Sequence, residues 1–89
     1  MGRRPFLVLT RDVVIPVLTA VVCAPITRTV RGIPSELSLS TEDGMPEACA
    51  ASFDNLYTVP RAMMTERICS LSLNRRLEMC RALAVAVDC

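Results

Sequence analysis

The segment from Val17 to Ser40, VLTAVVCAPITRTVRGIPSELSLS, is the most informative part of this chain about its architecture. It opens with an apolar run over residues 17–24 that is rich in valine and lies between Pro16 and Pro25. A continuous apolar run is compatible with either a buried strand or a buried helix. The β-branched valines favour the strand, and prolines at both ends would interrupt a helix. We therefore predict a strand over residues 17–24.

A loop and a second strand follow in the same segment. Residues 27–34 are mostly polar, contain Gly32 and carry two arginines, which is typical of a loop. Residues 36–40 alternate strictly between polar and apolar side chains, which is the pattern of a half-buried strand. The same reasoning predicts strands over 6–10, 49–53 and 67–71 and a turn over 41–46. Residues 58–60 are predicted to interrupt the strands, and Pro60 is predicted to open one helical turn through Met64.

The strongest helix signal comes last in the chain. Ser72 is a suitable N-cap for a helix over residues 73–87. Apolar side chains recur there at steps of four and three, which predicts one stripe packed on a sheet: Leu73, Leu77, Cys80, Ala84 and Val87, with Met79 and Leu83 beside it. The polar side chains are predicted to face outward: Asn74, Arg75, Glu78 and Arg81. About five short strands and one helix predict a small α+β fold or half-open barrel, a single domain over residues 1–89.

Length and composition narrow the possible functions. With 89 residues, 52% hydrophobic and 21% charged, the chain is long enough for one small core and too apolar to stay disordered. Ten arginines against nine acids give a net charge of +1, so any basic surface for nucleic acid must be local. There is no histidine, which excludes a histidine general base, a histidine-assisted nucleophile and the most common zinc ligand.

The five cysteines are widely spaced and form no Cys-x-x-Cys pair. Zinc sites usually take their ligands in such close pairs, so we expect no metal site. The odd count and the apolar neighbours of these cysteines predict reduced, buried thiols that pack as small hydrophobic side chains. The competing interpretation is a secreted cysteine-rich protein, which would need an oxidising compartment and protected thiols.

The beginning of the chain imitates an export signal, because two arginines precede an apolar run over residues 13–25. Arg11 and Asp12 interrupt the apolar stretch, however, and Pro25 directly follows the small residue at which cleavage would occur. The run is also shorter than the roughly 20 residues that span a bilayer. We therefore expect a cytoplasmic protein.

Two groups of residues carry chemistry suited to a phosphate. Arg4 precedes Pro5, which restricts Arg4 to an extended backbone at the entrance of the first predicted strand. Residues 27–31 place two hydroxyls and two guanidiniums directly after the second predicted strand. Guanidinium forks bind phosphate oxygens in pairs, and short hydroxyls add neutral donors. If the two strands are neighbours, Arg4 and Thr27 converge on one phosphate.

The order of these segments resembles the MazF/PemK family of toxin ribonucleases. The matching stretches are RRPFLVLTRD at residues 3–12, VVCAPITRTVRGIPSELSL at 21–39 and FDNLYTV at 53–59, followed by the closing segment 67–87. The resemblance implies an SH3-like antiparallel β-barrel with a C-terminal helix (a PemK/MazF/CcdB-like fold), assembled as a two-fold dimer. The family normally has a strand before the Arg-Pro pair, so we expect a shortened member whose first family strand is missing and whose sheet edge is exposed.

The resemblance also implies the toxin of a type II toxin–antitoxin system. Such a protein is a metal-independent endoribonuclease without cofactors, and it cleaves single-stranded mRNA at short sequences. Arg4 and Thr27 match the family's catalytic arginine and its catalytic Thr/Ser, and we assign both to stabilising the charged phosphorane. RNA binding is assigned to Arg28, Thr29, Arg31, Asn55 and Tyr57. The expected partner is an acidic, MazE-like antitoxin.

The general base is left open between Glu36, Asp54 and a second arginine. Tyr57 stands where the family commonly has Arg or Lys, and its ring is suited either to stack on a base or to pack on the sheet. Two other functions are compatible with the same fold. One is a catalytically impaired, toxin-like binding module that sequesters antitoxin, and the other is a toxin directed against gyrase.

Overall fold

Five antiparallel strands and one α-helix are present in the computed structural model, which describes residues 5–10, 13–64 and 67–87. The strands are β1 (Phe6–Val8), β2 (Ala20–Thr27), β3 (Glu36–Leu39), β4 (Cys49–Ser52) and β5 (Tyr57–Pro60), and the helix is α1 (Leu73–Ala86). Single 3₁₀ turns lie at Ile15–Val17, Thr41–Asp43 and Arg61–Met63. The predicted α+β class with a C-terminal helix is confirmed. Within these ranges, no helix has the length and apolar character needed to cross a membrane.

β2 is the central strand, and it has partners on both edges. β1 pairs with one edge, where Phe6 faces Pro25. The other edge is shared by β5, opposite residues 20–23, and by β4, opposite Ile26 and Thr27. β3 pairs with β4, which gives an open antiparallel sheet in the order β1-β2-β4-β3, with β5 off this path. β4 and β5 therefore follow one another along a single edge of β2.

The prediction that Pro25 ends the second strand is wrong, because β2 begins and ends three residues later than the predicted strand. Val22 O accepts a hydrogen bond from Leu9 N, and Ile26 N donates to Pro5 O. Even-numbered residues of β2 thus direct their backbone groups toward β1, so the nitrogen of Pro25 faces the opposite edge. On that edge it lies between the last pair with β5 and the first pair with β4. The missing N–H of proline therefore removes no ladder hydrogen bond.

Two other strand predictions also change. Residues 57–60 form β5 where a stop was predicted, because the edge of β2 between Ala20 and Cys23 is open to pairing. The predicted helical turn after Pro60 is present at Arg61–Met63. Residues 67–71, in contrast, form no strand. Their alternation arises because Cys69 and Leu71 pack against the core, while Ser70 between them is exposed.

The main core lies under the sheet and α1, and its buried members are Ala24, Leu37, Leu39, Met45, Cys49, Ala51, Phe53 and Ala82. Helix α1 begins after the predicted cap, where Ser72 Oγ accepts from Arg75 N at 3.3 Å. The predicted packing stripe is wrong: Leu73 is 73% exposed and Leu77 is 53% exposed. The helix contacts the core through Met79 and Leu83, which were predicted beside the stripe, and through Ala82 and Ala86, which were not. Apolar residues occur on several sides of this helix, so periodicity alone did not identify the buried face.

Arg75 was predicted to face outward, and the structure corrects this. Its Nε lies 2.9 Å from Asp43 Oδ1, and its terminal nitrogens donate to Ser38 O and to Glu78 Oε2. Asp43 also accepts from Ser40 N in the capping box of the preceding 3₁₀ turn. The Arg75 guanidinium thus joins α1 to this turn. It also donates to the carbonyl of Ser38, which faces outward on the open edge of β3, where a strand of another molecule would otherwise pair.

Replacing Arg75 with Met should lower the free energy of unfolding by about 2 kcal/mol. Met keeps the helix propensity and the side-chain length but leaves the Asp43 carboxylate, only 11% exposed, without its guanidinium. Arg76 is exposed on the same helix, so Arg76→Met is the control and should change stability by less than about 0.5 kcal/mol. Urea unfolding of the two variants makes the comparison. Equal losses in both variants would contradict the assignment.

The cysteines only partly match the prediction of buried thiols. Cys23 and Cys49 are buried, Cys69 is half-buried and Cys80 is exposed, and all four are free thiols, while Cys89 lies outside the described residues. Burial raises the pKa of Cys23. Burial also raises the pKa of Cys49, and the nearby Glu47, Asp43 and Cys69 raise it further. At a given pH, fewer of these buried thiols are therefore in the reactive thiolate form.

Alkylation of the folded protein should therefore modify Cys80 well before Cys23 or Cys49. At about pH 8, iodoacetamide should reach the exposed thiol while the two buried thiols react only after denaturation. Because their pKa values are raised, any reaction of Cys23 and Cys49 should accelerate at higher pH than expected for a free thiol. Peptide mass spectrometry resolves each site. Rapid modification of Cys49 in the folded protein would show that the core is more open than described.

Candidate active site

The entrance of β1 lies directly against the end of β2. Pro5 O accepts a hydrogen bond from Ile26 N at 3.2 Å, and Phe6 is opposite Pro25. β1 and β2 are therefore neighbours, as convergence of Arg4 and Thr27 on one phosphate requires. Arg4 itself lies outside the described residues. Its chain neighbour Pro5 is hydrogen-bonded to the residue that immediately precedes Thr27.

Thr27 is the last residue of β2, and its hydroxyl has a defined local geometry. Thr27 Oγ1 accepts a hydrogen bond from Thr29 N at 3.1 Å, which forms a short side-chain-to-backbone turn. A hydroxyl has one proton to donate in addition to its acceptor lone pairs. With Thr29 N bound to the oxygen, the Thr27 proton is available for a negatively charged oxygen placed beside the strand end.

The residues that follow expose their side chains to solvent. Arg28 Nε lies 2.6 Å from Glu47 Oε1, but these side chains are 85% and 54% exposed. An ion pair this exposed contributes little to stability, so a phosphate can replace the carboxylate at small cost. Thr29 and Arg31 are also exposed. The end of β2 thus presents two arginines and two hydroxyl side chains on one short stretch.

The two carboxylates considered as general bases differ in exposure. Glu36 is buried, its Oε1 accepts from Arg31 N at 3.0 Å, and its Oε2 is buried without a hydrogen-bond partner among the described residues. Asp54 is exposed, and its Oδ2 accepts from Ser35 Oγ at 2.5 Å. A base must reach the proton that it removes. In this conformation Asp54 has access to solvent at the surface, and Glu36 does not.

Asn55 and Tyr57 belong to the chain segment that lies along the edge of β2 shared by β4 and β5. Asn55 is exposed in the turn between β4 and β5. Tyr57 begins β5 opposite Cys23, is 54% exposed, and its ring meets that of Phe6 edge-on at 6.0 Å. Strand alternation puts the side chains at 23 and 27 of β2 on one face, separated by about 13 Å along the strand. The structure thus groups Thr27, Arg28 and Thr29 at one strand end and places Tyr57 farther along that face.

The sequence did not predict the contacts that three residues make near the site. Glu47 pairs with Arg28, Phe6 contacts the ring of Tyr57, and Glu36 is buried and accepts from Arg31 N. The alternation over residues 36–40 predicted Glu36 on the solvent side of its strand, so the pattern carried no signal of its burial. Its environment depends on how the preceding loop folds back over β3.

Comparison with known proteins gives the family. The family model described as "PemK-like, MazF-like toxin of type II toxin-antitoxin system" matches residues 1–87. The chain is 45% identical over 89 residues to "Probable endoribonuclease MazF2" of Mycobacterium tuberculosis, covering 99% of this chain and 87% of that protein. The structure is similar to that of Mycobacterium tuberculosis toxin MazF-mt6, with a TM-score of 0.90 and 38% identity over 96% of this chain and 86% of that one.

A more distant structure has the same fold. It is an endoribonuclease in complex with its cognate antitoxin from a mycobacterial species, with a TM-score of 0.86 and 21% identity, covering 98% of this chain and 82% of that chain. At this identity the similarity supports the fold alone. The family match spans both segments that form the strand end described above, and the more similar relative covers almost the whole chain. This chain belongs to the PemK-like, MazF-like toxins of type II toxin–antitoxin systems.

Proposed function

We propose that this chain is an endoribonuclease that cleaves single-stranded mRNA without a metal ion, and that Arg4 and Thr27 are its catalytic residues. The observation that carries the proposal is the hydrogen bond from Ile26 N to Pro5 O. It joins the residue after Arg4 to the residue before Thr27, so the two functional groups belong to neighbouring strand ends. Membership of a toxin family whose relatives are named endoribonucleases supports the same reaction.

The reaction that suits these groups uses the RNA as its own nucleophile. The 2′-oxygen bonds to the adjacent phosphorus and loses its proton to a base, and the bond from phosphorus to the 5′-oxygen breaks as that oxygen gains a proton. The products are a 2′,3′-cyclic phosphate and a 5′-hydroxyl. Because the nucleophile is a sugar hydroxyl already next to the phosphorus, no metal-activated water is needed.

The two catalytic groups stabilise the negative charge that develops on the phosphorane. The Arg4 guanidinium supplies a permanent positive charge and paired donors, and Thr27 donates the proton that its turn with Thr29 leaves available. The burial of Glu36 argues against it as the base, which leaves Asp54 and a second arginine. An exposed carboxylate is the better acceptor of the two, since arginine stays protonated under ordinary conditions.

RNA binding is assigned to the exposed residues around the strand end. Arg28 exchanges Glu47 for a phosphate, Arg31 and Thr29 bind further phosphate oxygens, and Asn55 bonds to a base edge. The exposed Tyr57 ring, which meets the ring of Phe6 edge-on, stacks on a base. Each phosphate neutralised by an arginine should steepen the fall of affinity with salt.

The proposed partners follow from the family. A cognate MazE-like antitoxin with an acidic, extended segment would compete with RNA for Arg28 and Arg31, and the chain would act as a homodimer in the cytoplasm. A dimer would also cover apolar side chains such as Leu73 and Leu77, which α1 leaves exposed. Light scattering tests the dimer, and titration with the antitoxin tests whether it displaces RNA.

The test of the function is cleavage of defined RNA by the purified chain in the presence of EDTA. We expect cuts at a short recurring sequence, with cyclic phosphate and 5′-hydroxyl ends identified by end-labelling and primer extension. Induction in cells should arrest growth with the same cuts. Intact RNA with retained antitoxin binding would instead identify a non-catalytic binding module. Intact RNA with gyrase trapped on DNA would identify a gyrase-directed toxin.

A further inference from the structure

We infer that Glu36 is a positioning residue for RNA binding, an inference that rests on the proposed function. Residues 28–34, named here the arginine loop, carry Arg28 and Arg31 between β2 and β3. Glu36 begins β3 two residues after this loop ends, and its carboxylate contacts the loop at Arg31 N. Its carboxylate holds the loop in the conformation that presents both guanidiniums to the RNA backbone.

Glu36 closes the arginine loop through two separate hydrogen bonds. Its own N–H donates to Ile33 O at 3.0 Å, and its Oε1 accepts from Arg31 N at 3.0 Å. Between these two contacts lies Gly32, whose φ of 68° turns the backbone through the left-handed region. The backbone contact is available to any residue at position 36 except proline, but the contact with Arg31 needs an acceptor on a side chain of this length.

The end of the loop is tied to a second element. Ser35 O accepts from Phe53 N at 3.1 Å, and Ser35 Oγ donates to Asp54 Oδ2. These bonds fix Ser35 against the turn that contains Asn55. Glu36 therefore stands where the arginine loop, β3 and this turn meet, and a change there would alter the position of the loop relative to the other assigned RNA contacts.

Burial of the Glu36 carboxylate does not by itself favour folding. The residue is 9% exposed, its Oε2 has no partner among the described residues, and none of the ion pairs found in that part of the chain includes it. A buried carboxylate without a cation destabilises a fold unless hydrogen bonds compensate. The contact that this carboxylate makes among the described residues is with Arg31 N, so we assign its role to the conformation of the arginine loop.

The charge of Glu36 makes the inference sharply testable. A carboxylate repels RNA phosphates, so its simple removal should strengthen RNA binding if it acted only through its charge. If it acts by positioning the arginine loop, its removal should weaken RNA binding. The sign of the change in KM therefore separates the two effects.

The experiment compares Glu36→Ala, Glu36→Gln and Glu36→Asp with the wild-type chain on one cleavable oligonucleotide. Glu42→Ala is the matched control, because Glu42 is an exposed carboxylate on the turn after β3. We expect Glu36→Ala to raise KM about 10-fold with little change in kcat, as when one charge-assisted phosphate contact is lost. Glu36→Gln keeps an acceptor oxygen and should restore KM to within about 2-fold of the wild type.

Two further measurements keep the inference falsifiable. The amide proton of Arg31 should exchange with solvent faster in Glu36→Ala than in Glu36→Gln, and if Glu36→Ala does not fold, the shorter Glu36→Asp should still raise KM. An unchanged or lower KM in the folded Ala or Asp variant would overturn the inference alone. Absence of RNA cleavage by the wild-type chain would overturn the proposed function and this inference with it.

Discussion

Replacing Arg4 with Ala should lower the rate of RNA cleavage by about 10²–10³-fold at saturating RNA. Losing one donor directed at the charge of a transition state typically has an effect of this size. The loss should fall on kcat, because the guanidinium binds the charge that develops during the reaction more strongly than the charge of the bound substrate. Single-turnover cleavage at saturating RNA measures it, and circular dichroism checks that the variant is folded.

Thr27→Ala is expected to reduce cleavage by a similar factor, and Thr27→Ser should recover most of the activity because it keeps the hydroxyl. The double Arg4 and Thr27 variant should lose less than the product of the single losses, since both groups stabilise the same charge. Thr58→Ala removes an exposed hydroxyl from β5 and is the matched control. Full activity in Arg4→Ala would disprove the assignment of this arginine even if the wild-type chain cleaves RNA.

Replacing Gly44 with Ala should lower the free energy of unfolding by about 3 kcal/mol, a loss with two physical causes. Gly44 has a φ of 96°, a left-handed conformation that is unfavourable for a residue with a side chain. An added Cβ would also lie 2.7 Å from Cys69 Cβ, far inside normal contact distance. The strain would fall on the turn whose Asp43 holds Arg75, and chemical unfolding measures the loss.

Gly32→Ala is the matched control, because only one of the two causes operates there. Gly32 also has a positive φ, 68°, but an added Cβ would meet nothing within 4 Å. Gly32→Ala should therefore lower the free energy of unfolding by only about 1–2 kcal/mol. Adding Cys69→Gly to Gly44→Ala removes the opposing Cβ and should recover part of the stability. Equal losses of stability in the two glycine variants would mean that the segment around Cys69 moves away from the added Cβ at no cost in free energy.

The site could be predicted from sequence only in part. The resemblance named Arg4 and Thr27, and the apolar patterns predicted the strand that follows Arg4 and the strand that leads to Thr27. The pairing of β1 with β2, shown by Pro5 and Ile26, depends on residues far apart in the chain. The alternating pattern over residues 36–40 predicted an exposed Glu36. The residue is instead buried, and the arginine loop folds back to contact it at the start of β3.

Local chemistry was sufficient wherever the outcome depended on a few consecutive residues. The alternation after Ser35 specified β3, and Ser72 specified the beginning of α1, because a pleat or a cap involves only neighbouring groups. Which strands pair, which side of α1 is buried and whether Pro25 interrupts β2 depend on partners distant in sequence. The bonds of Arg75 to Ser38 and Asp43 show the reason: such contacts exist only after separate segments have packed, so no local pattern encodes them.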